Sequence, residues 1–210
     1  MVGAFAVASI ALGATGSASL DAGTDSNGND YVHVIAPVSS VVVDTATGSF
    51  VSVASIGGLS QTAPVTKASN GGSITISNLT VDFATKQIFG DVSGSSLSGT
   101  AVSGNKAIFT FQDLVGPATF TALAAGQTAT FTNTLTHLSL TADGAADIKT
   151  ALGLKGVGAS TLNNLTDFGS IVSTITVKNV TAAVPEPSTY AMLGVGLAMA
   201  GVVARRRRQA

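Results

Sequence analysis

Side chains able to carry acid–base, nucleophilic or metal chemistry are few in this sequence and lie far apart. Upstream of Val184 the chain has two histidines, His33 and His137, and one tyrosine, Tyr31, but no cysteine, tryptophan, arginine or glutamate. Neither histidine belongs to a cluster with metal-ligand spacing, and no Gly-x-Ser-x-Gly turn presents a serine nucleophile. The sequence therefore predicts no catalytic site, no metal site and no cofactor, and it favours a non-enzymatic protein.

The segment with the clearest chemical signature lies at the other end of the chain and has three parts in order. A Val-Pro-Glu-Pro motif precedes an uncharged apolar run, Tyr190 to Ala204, which precedes four consecutive arginines. The prolines fix φ and favour extended backbone before them, so the motif is expected to be a stiff, extended segment. The motif consists of Val184, Pro185, Glu186 and Pro187, and the arginines are Arg205, Arg206, Arg207 and Arg208.

The apolar run predicts a short transmembrane helix. As a helix, its fifteen residues span about 22 Å against a hydrocarbon core of ~30 Å, and snorkelling arginines make up part of the difference. An arginine cluster after such a run stays on the cytoplasmic side of the membrane. The arginines are therefore interpreted as topology signals.

This order of parts resembles the PEP-CTERM sorting signal of Gram-negative bacteria, over residues 184–210. The resemblance implies export, transient retention in the inner membrane, and recognition by an exosortase, a membrane transpeptidase-like enzyme. Cleavage would fall near Val184 to Pro187 and would pass the body of the protein to the cell surface or extracellular matrix. Exopolysaccharide is then a candidate partner.

The N-terminal residues predict an export signal followed by a linker. Met1–Ser19 has an apolar run and small residues suited to a cleavage site, so it is interpreted as a helical signal peptide. Residues 20–30 are interpreted as a polar linker. Within them Asp25, Asn27 and Asn29 alternate like Ca²⁺ ligands, but the glycine and glutamate that such a loop needs are missing, so a solvated linker is favoured.

Residues 31–183 are predicted to form an antiparallel β-sandwich, so the fold class is mainly β. Aspartates 44 and 82 each precede a short turn that they can cap, which predicts two similar hairpins. The apolar residues change phase near Asn78 and after His137, which predicts a bulge or bend at each point. One short helix is predicted from Thr141 to Leu154, with Thr141 as N-cap and Gly153 at its end.

A row of threonines alternates along the clearest predicted strand, Gln127 to Leu140. The row has two interpretations: a surface that faces ice or a glycan, and the ordinary solvent face of a strand in which threonine is favoured. One strand supplies one row and not the flat two-dimensional array that ice recognition needs. The solvent-face interpretation is therefore preferred.

Two strings, Asn78 to Thr85 and Leu138 to Ala146, resemble HtaA-type domains, which are β-rich modules associated with haem binding. Haem would need an axial ligand, and the body offers only Tyr31, His33 and His137. This resemblance supports an alternative function, an extracellular module that binds haem or a polysaccharide.

The charge distribution argues against nucleic acid as a partner. Six lysines and ten aspartates precede Val184, so the body has a formal charge of −4, and every arginine lies in the tail. An acidic body has no electrostatic attraction for phosphate backbones. The sequence thus predicts a non-enzymatic exported protein that is anchored in the inner membrane as an intermediate and then displayed at the surface or released.

Overall fold

The computed structural model describes residues 9–24, 28, 30–44, 46–121, 123–124 and 126–178. These residues form strands with few helices, and the registered strand pairs are antiparallel, which confirms the mainly β class. The strands are β1 (Ala11–Thr15), β2 (Ser19–Thr24), β3 (Asp30–Ile35), β4 (Val38–Val43), β5 (Phe50–Ser55), β6 (Gly58–Val65), β7 (Asn70–Asp82), β8 (Gln87–Ser96), β9 (Ala101–Thr110), β10 (Asp113–Val115), β11 (Thr128–Thr136), β12 (Ser139–Leu140) and β13 (Ile171–Lys178). The helices are α1 (Ala142–Ala151) and α2 (Val157–Asn164).

The strands form three sheets. The largest has eight strands, with β1-β6-β7-β8-β9-β12 in a row and with β5 pairing both β4 and β7. A three-stranded sheet has the order β10-β11-β13, and β2 pairs with β3. The chain divides into two units, Met1–Ala122 with Thr130–Thr176, and Leu123–Ala129 with Val177–Ala210. In the second unit, the Gln127 amide donates to the Ala124 carbonyl at 3.0 Å, which closes a turn.

Both predicted hairpin turns are confirmed, and in each an aspartate holds the turn. The Asp44 carboxylate accepts from the Ala46 amide at 2.8 Å, and the Asp82 carboxylate accepts from the Ala84 amide at 2.8 Å. These bonds favour the ionised form, so the pKa of Asp44 is lowered first by the Ala46 amide. The pKa of Asp82 is lowered as well, chiefly by the Thr85 amide.

The two predicted changes of phase are also confirmed. The β7–β8 register shifts between Ser77 and Thr80, and Asn78 there has a φ of 51°. His137 has a φ of 53° and separates β11 from β12. Each left-handed residue lets the chain turn apolar side chains from both segments to the same side.

The core has two clusters, both in the first unit. In one, Ile74, Val92 and Ile108 of the large sheet pack against α1. Ala151, the last residue of α1, and Leu152, which follows it, are fully buried. The other joins the two larger sheets, with buried members Val81, Ile88, Phe111, Leu135, Leu138 and Phe168. Aromatic pairs extend this contact, since the rings of Phe50 and Phe131 lie 6.2 Å apart in an edge-to-face arrangement.

The predicted helix is confirmed as α1, with Thr141 as its N-cap. The Thr141 hydroxyl accepts from the Gly144 amide at 2.9 Å and donates to the Ala107 carbonyl of β9 at 2.6 Å. Gly153, with a φ of 59°, follows the end of the helix as expected. Lys106 and Asp147 form an ion pair at 2.8 Å between β9 and α1.

The prediction of a single helix is wrong, because α2 follows α1. Its sequence has weak helix formers, and its N-cap, Gly156, provides no side-chain hydrogen bond. Its Ala159 and Leu162 pack against the buried clusters. Tertiary packing therefore stabilises α2 where local signals are poor.

The N-terminal segment differs from the expectation in its described part. Residues 1–8 lie outside the described residues, but Ala11–Thr15, predicted to be helical, pairs with β6 as strand β1. Much of the predicted linker is strand as well, since Ser19–Thr24 pairs with Asp30–Ile35. A short run of apolar and small residues is compatible with either a helix or an edge strand. This ambiguity explains why Ala11–Thr15 is predicted to be helical but forms a strand. No helix within the described residues has the length and apolar character to cross a membrane.

We expect Thr141→Ala to lower the free energy of unfolding by about 1–2 kcal/mol, because it removes both the cap and the bond to β9. Urea unfolding of the purified protein measures the change. Thr132→Ala is the matched control, since Thr132 is exposed on β11 and such changes usually stay within about 0.5 kcal/mol. An equal loss in both variants would contradict the capping role.

Candidate functional sites on the folded body

The predicted sorting residues lie outside the described part of the chain. This applies to the motif Val184, Pro185, Glu186 and Pro187, to the apolar run and to the four arginines. The last described residue, Lys178, ends β13. The candidate Ca²⁺ ligands Asp25, Asn27 and Asn29 lie outside it as well.

The three haem-ligand candidates lie in two different parts of the fold. Tyr31 and His33 are in β3, where His33 is opposite Asp21 of β2. His137 lies in the bend after β11, and its side chain is more than half exposed. Its Nδ1 is 3.4 Å from the Asp113 carboxylate, and the Asp113 side chain is also more than half exposed. Within the described residues, no three histidine, aspartate or glutamate side chains gather where a metal ion could bind.

The threonine row of β11 faces outward, as the preferred interpretation predicts. Thr128, Thr130 and Thr132 are exposed, while Asn133 and Leu135 on the other face are buried. The hydroxyl oxygens of Thr130 and Thr176 are 3.2 Å apart, so β13 contributes at least one threonine to the same surface.

A much larger polar array, which sequence analysis missed, covers the outer face of the large sheet. The strand registers align small residues in rows that cross up to five strands. Neighbours in a row are about 4.8 Å apart, and rows are about 6.7 Å apart. We call this surface the hydroxyl face; its rows are Gly13, Ser60, Thr75, Ser93 and Ser103, then Thr62, Ser73 and Ser95, then Ser77, Asp91 and Asn105.

Asp91 is the single charged residue of the hydroxyl face as defined, and it is held between two asparagines. Its carboxylate accepts from the Asn105 amide at 2.8 Å and from the Asn78 amide at 3.0 Å. These bonds stabilise the ionised form and lower the pKa of Asp91, the Asn105 bond most. The three side chains form a fixed polar network across β7, β8 and β9.

A second candidate site is an open cleft at the C-terminal end of α1. It has a volume of about 410 Å³, within the usual range of ~300–1,000 Å³ for small-ligand pockets. Lys149 is its one charged lining residue, and no carboxylate or histidine lines it. We call it the helix-end cleft; it is lined by Asn70, Ser96, Ser98, Thr100, Ala146, Lys149, Thr150, Gly153 and Leu154.

Several polar groups of the cleft remain available to a ligand. Two carbonyl groups in the last turn of α1 already accept hydrogen bonds, since Leu154 N donates to Lys149 O at 2.9 Å and Gly153 N donates to Thr150 O at 3.1 Å. Lys155 Nζ donates to Asn70 Oδ1 at 2.5 Å, which occupies the amide oxygen and leaves the amide nitrogen available. Among described residues, Lys149 and Lys155 have no carboxylate within ion-pair distance. The cleft thus offers an ammonium group, an amide nitrogen and hydroxyl groups to a ligand.

Comparisons with known proteins identify the tail. Residues 183–208 match the PEP-CTERM protein-sorting motif, which confirms the resemblance seen in the sequence. No curated protein matches the chain. Two crystal structures of the C-terminal domain of HtaA from Corynebacterium glutamicum are similar, at 14% identity and a TM-score of 0.43. One, a domain-swapped dimer of a His-to-Ala variant, covers 85% of this chain and 87% of its own, and the other covers 82% and 84%. A superposition of this quality defines no common site.

We expect Asn105→Ala to raise the pKa of Asp91 toward the ordinary value of about 3.9, because the strongest bond to the carboxylate is lost. NMR titration of the Asp91 carboxyl carbon measures the pKa, and Asn163→Ala, on exposed α2 surface, is the control. Because the folded-state pKa of Asp91 is lowered, its stabilising contribution is present above the unfolded pKa and is lost as pH falls through the folded one. An unchanged pKa in Asn105→Ala would contradict this assignment.

Proposed function

We propose that this protein is a non-enzymatic surface or extracellular-matrix protein that is exported, retained in the inner membrane by its tail, and processed by an exosortase near Val184 to Pro187. The observation that carries the proposal is the sorting-motif match at residues 183–208. The match spans the extended motif, the apolar run and the arginine cluster in order. Each part has a separate physical role in recognition, retention or topology.

The body has properties that suit display outside the cell. The chain has no cysteine, so its stability depends on core packing and not on the redox state of the compartment. Its largest sheet presents the hydroxyl face, which is nearly uncharged and consists of small polar side chains. Such a surface suits contact with hydrated polymers better than it suits an enzyme site.

The second candidate function is ligand binding by the body, and the helix-end cleft favours a polysaccharide over haem. The cleft is polar and open, whereas haem needs an axial ligand within an apolar pocket. His137, the candidate axial ligand whose side chain is described, is exposed and faces the Asp113 carboxylate. These properties favour a polysaccharide over haem as the ligand of the body.

We expect replacement of Pro185, Glu186 and Pro187 by alanines to stop processing, because the extended backbone and the carboxylate of the motif are both lost. Immunoblots and intact masses of protein from membranes and medium of the native host measure the outcome. The unprocessed form should accumulate in the membrane, and the released form should disappear.

The matched control replaces Ser188 and Thr189 by alanine, which changes the same neighbourhood but keeps the motif. It should be processed normally. Normal release of the motif variant would refute the exosortase proposal. Retention of both variants would also refute it, because the effect would then not depend on the Pro-Glu-Pro sequence.

A further inference from the structure

We propose that the helix-end cleft binds a carboxylate-bearing sugar unit of an acidic polysaccharide, with Lys149 pairing with the carboxylate. The inference rests on the proposed function for its extracellular setting, where such polymers are found. The site itself is defined by the cleft and by the charges around it, independently of the tail.

The charge of the cleft differs from the charge of the body. The body carries a formal charge of −4, yet the lining residues of the cleft include one lysine and no acidic residue. Lys155 adds a second positive charge next to the lining residue Asn70. The nearest acidic residue along α1, Asp147, is already paired with Lys106. An anion entering the cleft therefore meets unpaired positive charge in an otherwise acidic molecule.

The C-terminal end of a helix ordinarily disfavours anions, because its free carbonyls carry partial negative charge. Here backbone amides of Leu152, Gly153 and Leu154 donate to three carbonyls in the last turn of α1, and the Ser69 hydroxyl donates to the Leu152 carbonyl at 2.6 Å. Fewer free carbonyls therefore face an entering anion, and Lys149 supplies the one charged side chain of the cleft lining.

The remaining polar groups fit a ligand rich in hydroxyls. The side chains of Thr100 and Thr150 line the cleft and make no hydrogen bond with described residues, and the Asn70 amide nitrogen is also unpaired there. Hydroxyls both donate and accept, so they can pair with sugar hydroxyls in either sense. A carboxylate beside several hydroxyls is the pattern of a uronate, which matches one ammonium beside several hydroxyls.

The cleft lacks an aromatic side chain, and this sets the expected mode of binding. Stacking on an aromatic ring supplies much of the apolar contact area in many binding sites. Without it, affinity must come from the ion pair and from hydrogen bonds, both exposed to solvent. Binding should therefore be weak for one sugar unit, sensitive to salt, and stronger for a polymer that presents many units.

The test measures binding of oligogalacturonate, a uronate oligomer, to the detergent-purified full chain by isothermal titration. We expect Lys149→Gln to weaken binding by about threefold to fivefold, the effect of losing an exposed ion pair. Thr100→Val, which preserves shape and the Thr100 backbone bond to Ser96, should weaken it by about twofold to threefold through loss of a hydroxyl.

Lys86→Gln is the matched control, because Lys86 lies at the opposite end of β8 and donates to the Gln112 carbonyl. It makes the same change in net charge and should leave binding unchanged. Raising the salt to about 0.5 M should weaken wild-type binding, since the Debye length falls well below 10 Å.

Four results would overturn the proposal: no binding by the wild type, equal weakening in Lys149→Gln and Lys86→Gln, equal binding of a neutral maltooligosaccharide, or equal binding of inorganic phosphate with the same loss in Lys149→Gln. The last would mean that the cleft accepts any anion. Because the assay uses purified protein, its outcome is independent of processing by an exosortase. Failure here and failure of the sorting proposal are thus distinguishable.

Discussion

The close seating of α1 on the large sheet is the constraint on which the core and the helix-end cleft depend. A Cβ atom at Gly72 would lie 2.1 Å from the Ala151 carbonyl oxygen, so only glycine permits the helix to approach the sheet at that position. A Cβ atom at Gly94 would make a tight contact of 3.1 Å with the Ala151 Cβ, but its closest conflict is within the sheet, 2.4 Å from the Ser73 carbonyl oxygen. Ala151 is fully buried as a result, and the isoleucines of β7 and β9 are covered by the helix. A helix held farther from the sheet would leave this cluster open to water.

The same seating fixes the end of α1. The Ser69 hydroxyl, fully buried, donates to the Leu152 carbonyl and accepts from the Gly71 amide at 2.8 Å. One side chain thus connects the helix terminus to the start of β7. Lys149, Thr150 and Asn70 owe their shared cleft to this connection, so the geometry of the candidate site follows from a buried polar contact.

Local signals in the sequence identified the features that depend on neighbouring residues. Asp44 and Asp82 cap turns within three residues, Thr141 caps its own helix, and Asn78 and His137 change the phase of a strand. Each is determined over a few residues, so pattern and side-chain chemistry suffice. The sorting motif is readable for the same reason, because its parts are contiguous.

Features that depend on distant segments could not be predicted. The hydroxyl face requires the register of Ser60, Thr75 and Ser93, residues from three strands, and no local pattern fixes that register. Its faint signal is the alternation of small polar residues at Ser73, Thr75 and Ser77. The cleft joins β7, β8 and α1, and α2 forms where propensity is poor because Leu162 packs into the core. The hydroxyl face, the cleft and α2 all depend on tertiary contacts between segments that are distant in the sequence.

The hydroxyl face is nearly uncharged, and this affects how closely two copies of the protein can approach. Its three rows contain one carboxylate, Asp91, and no cation. Two copies that approach through these faces experience little Coulomb repulsion, although each body carries a net negative charge elsewhere. The serine and threonine hydroxyls are hydrated, so the surface lacks the exposed apolar patch that would favour association. Two molecules can therefore lie close together in orientations that bring these faces together, at little electrostatic cost.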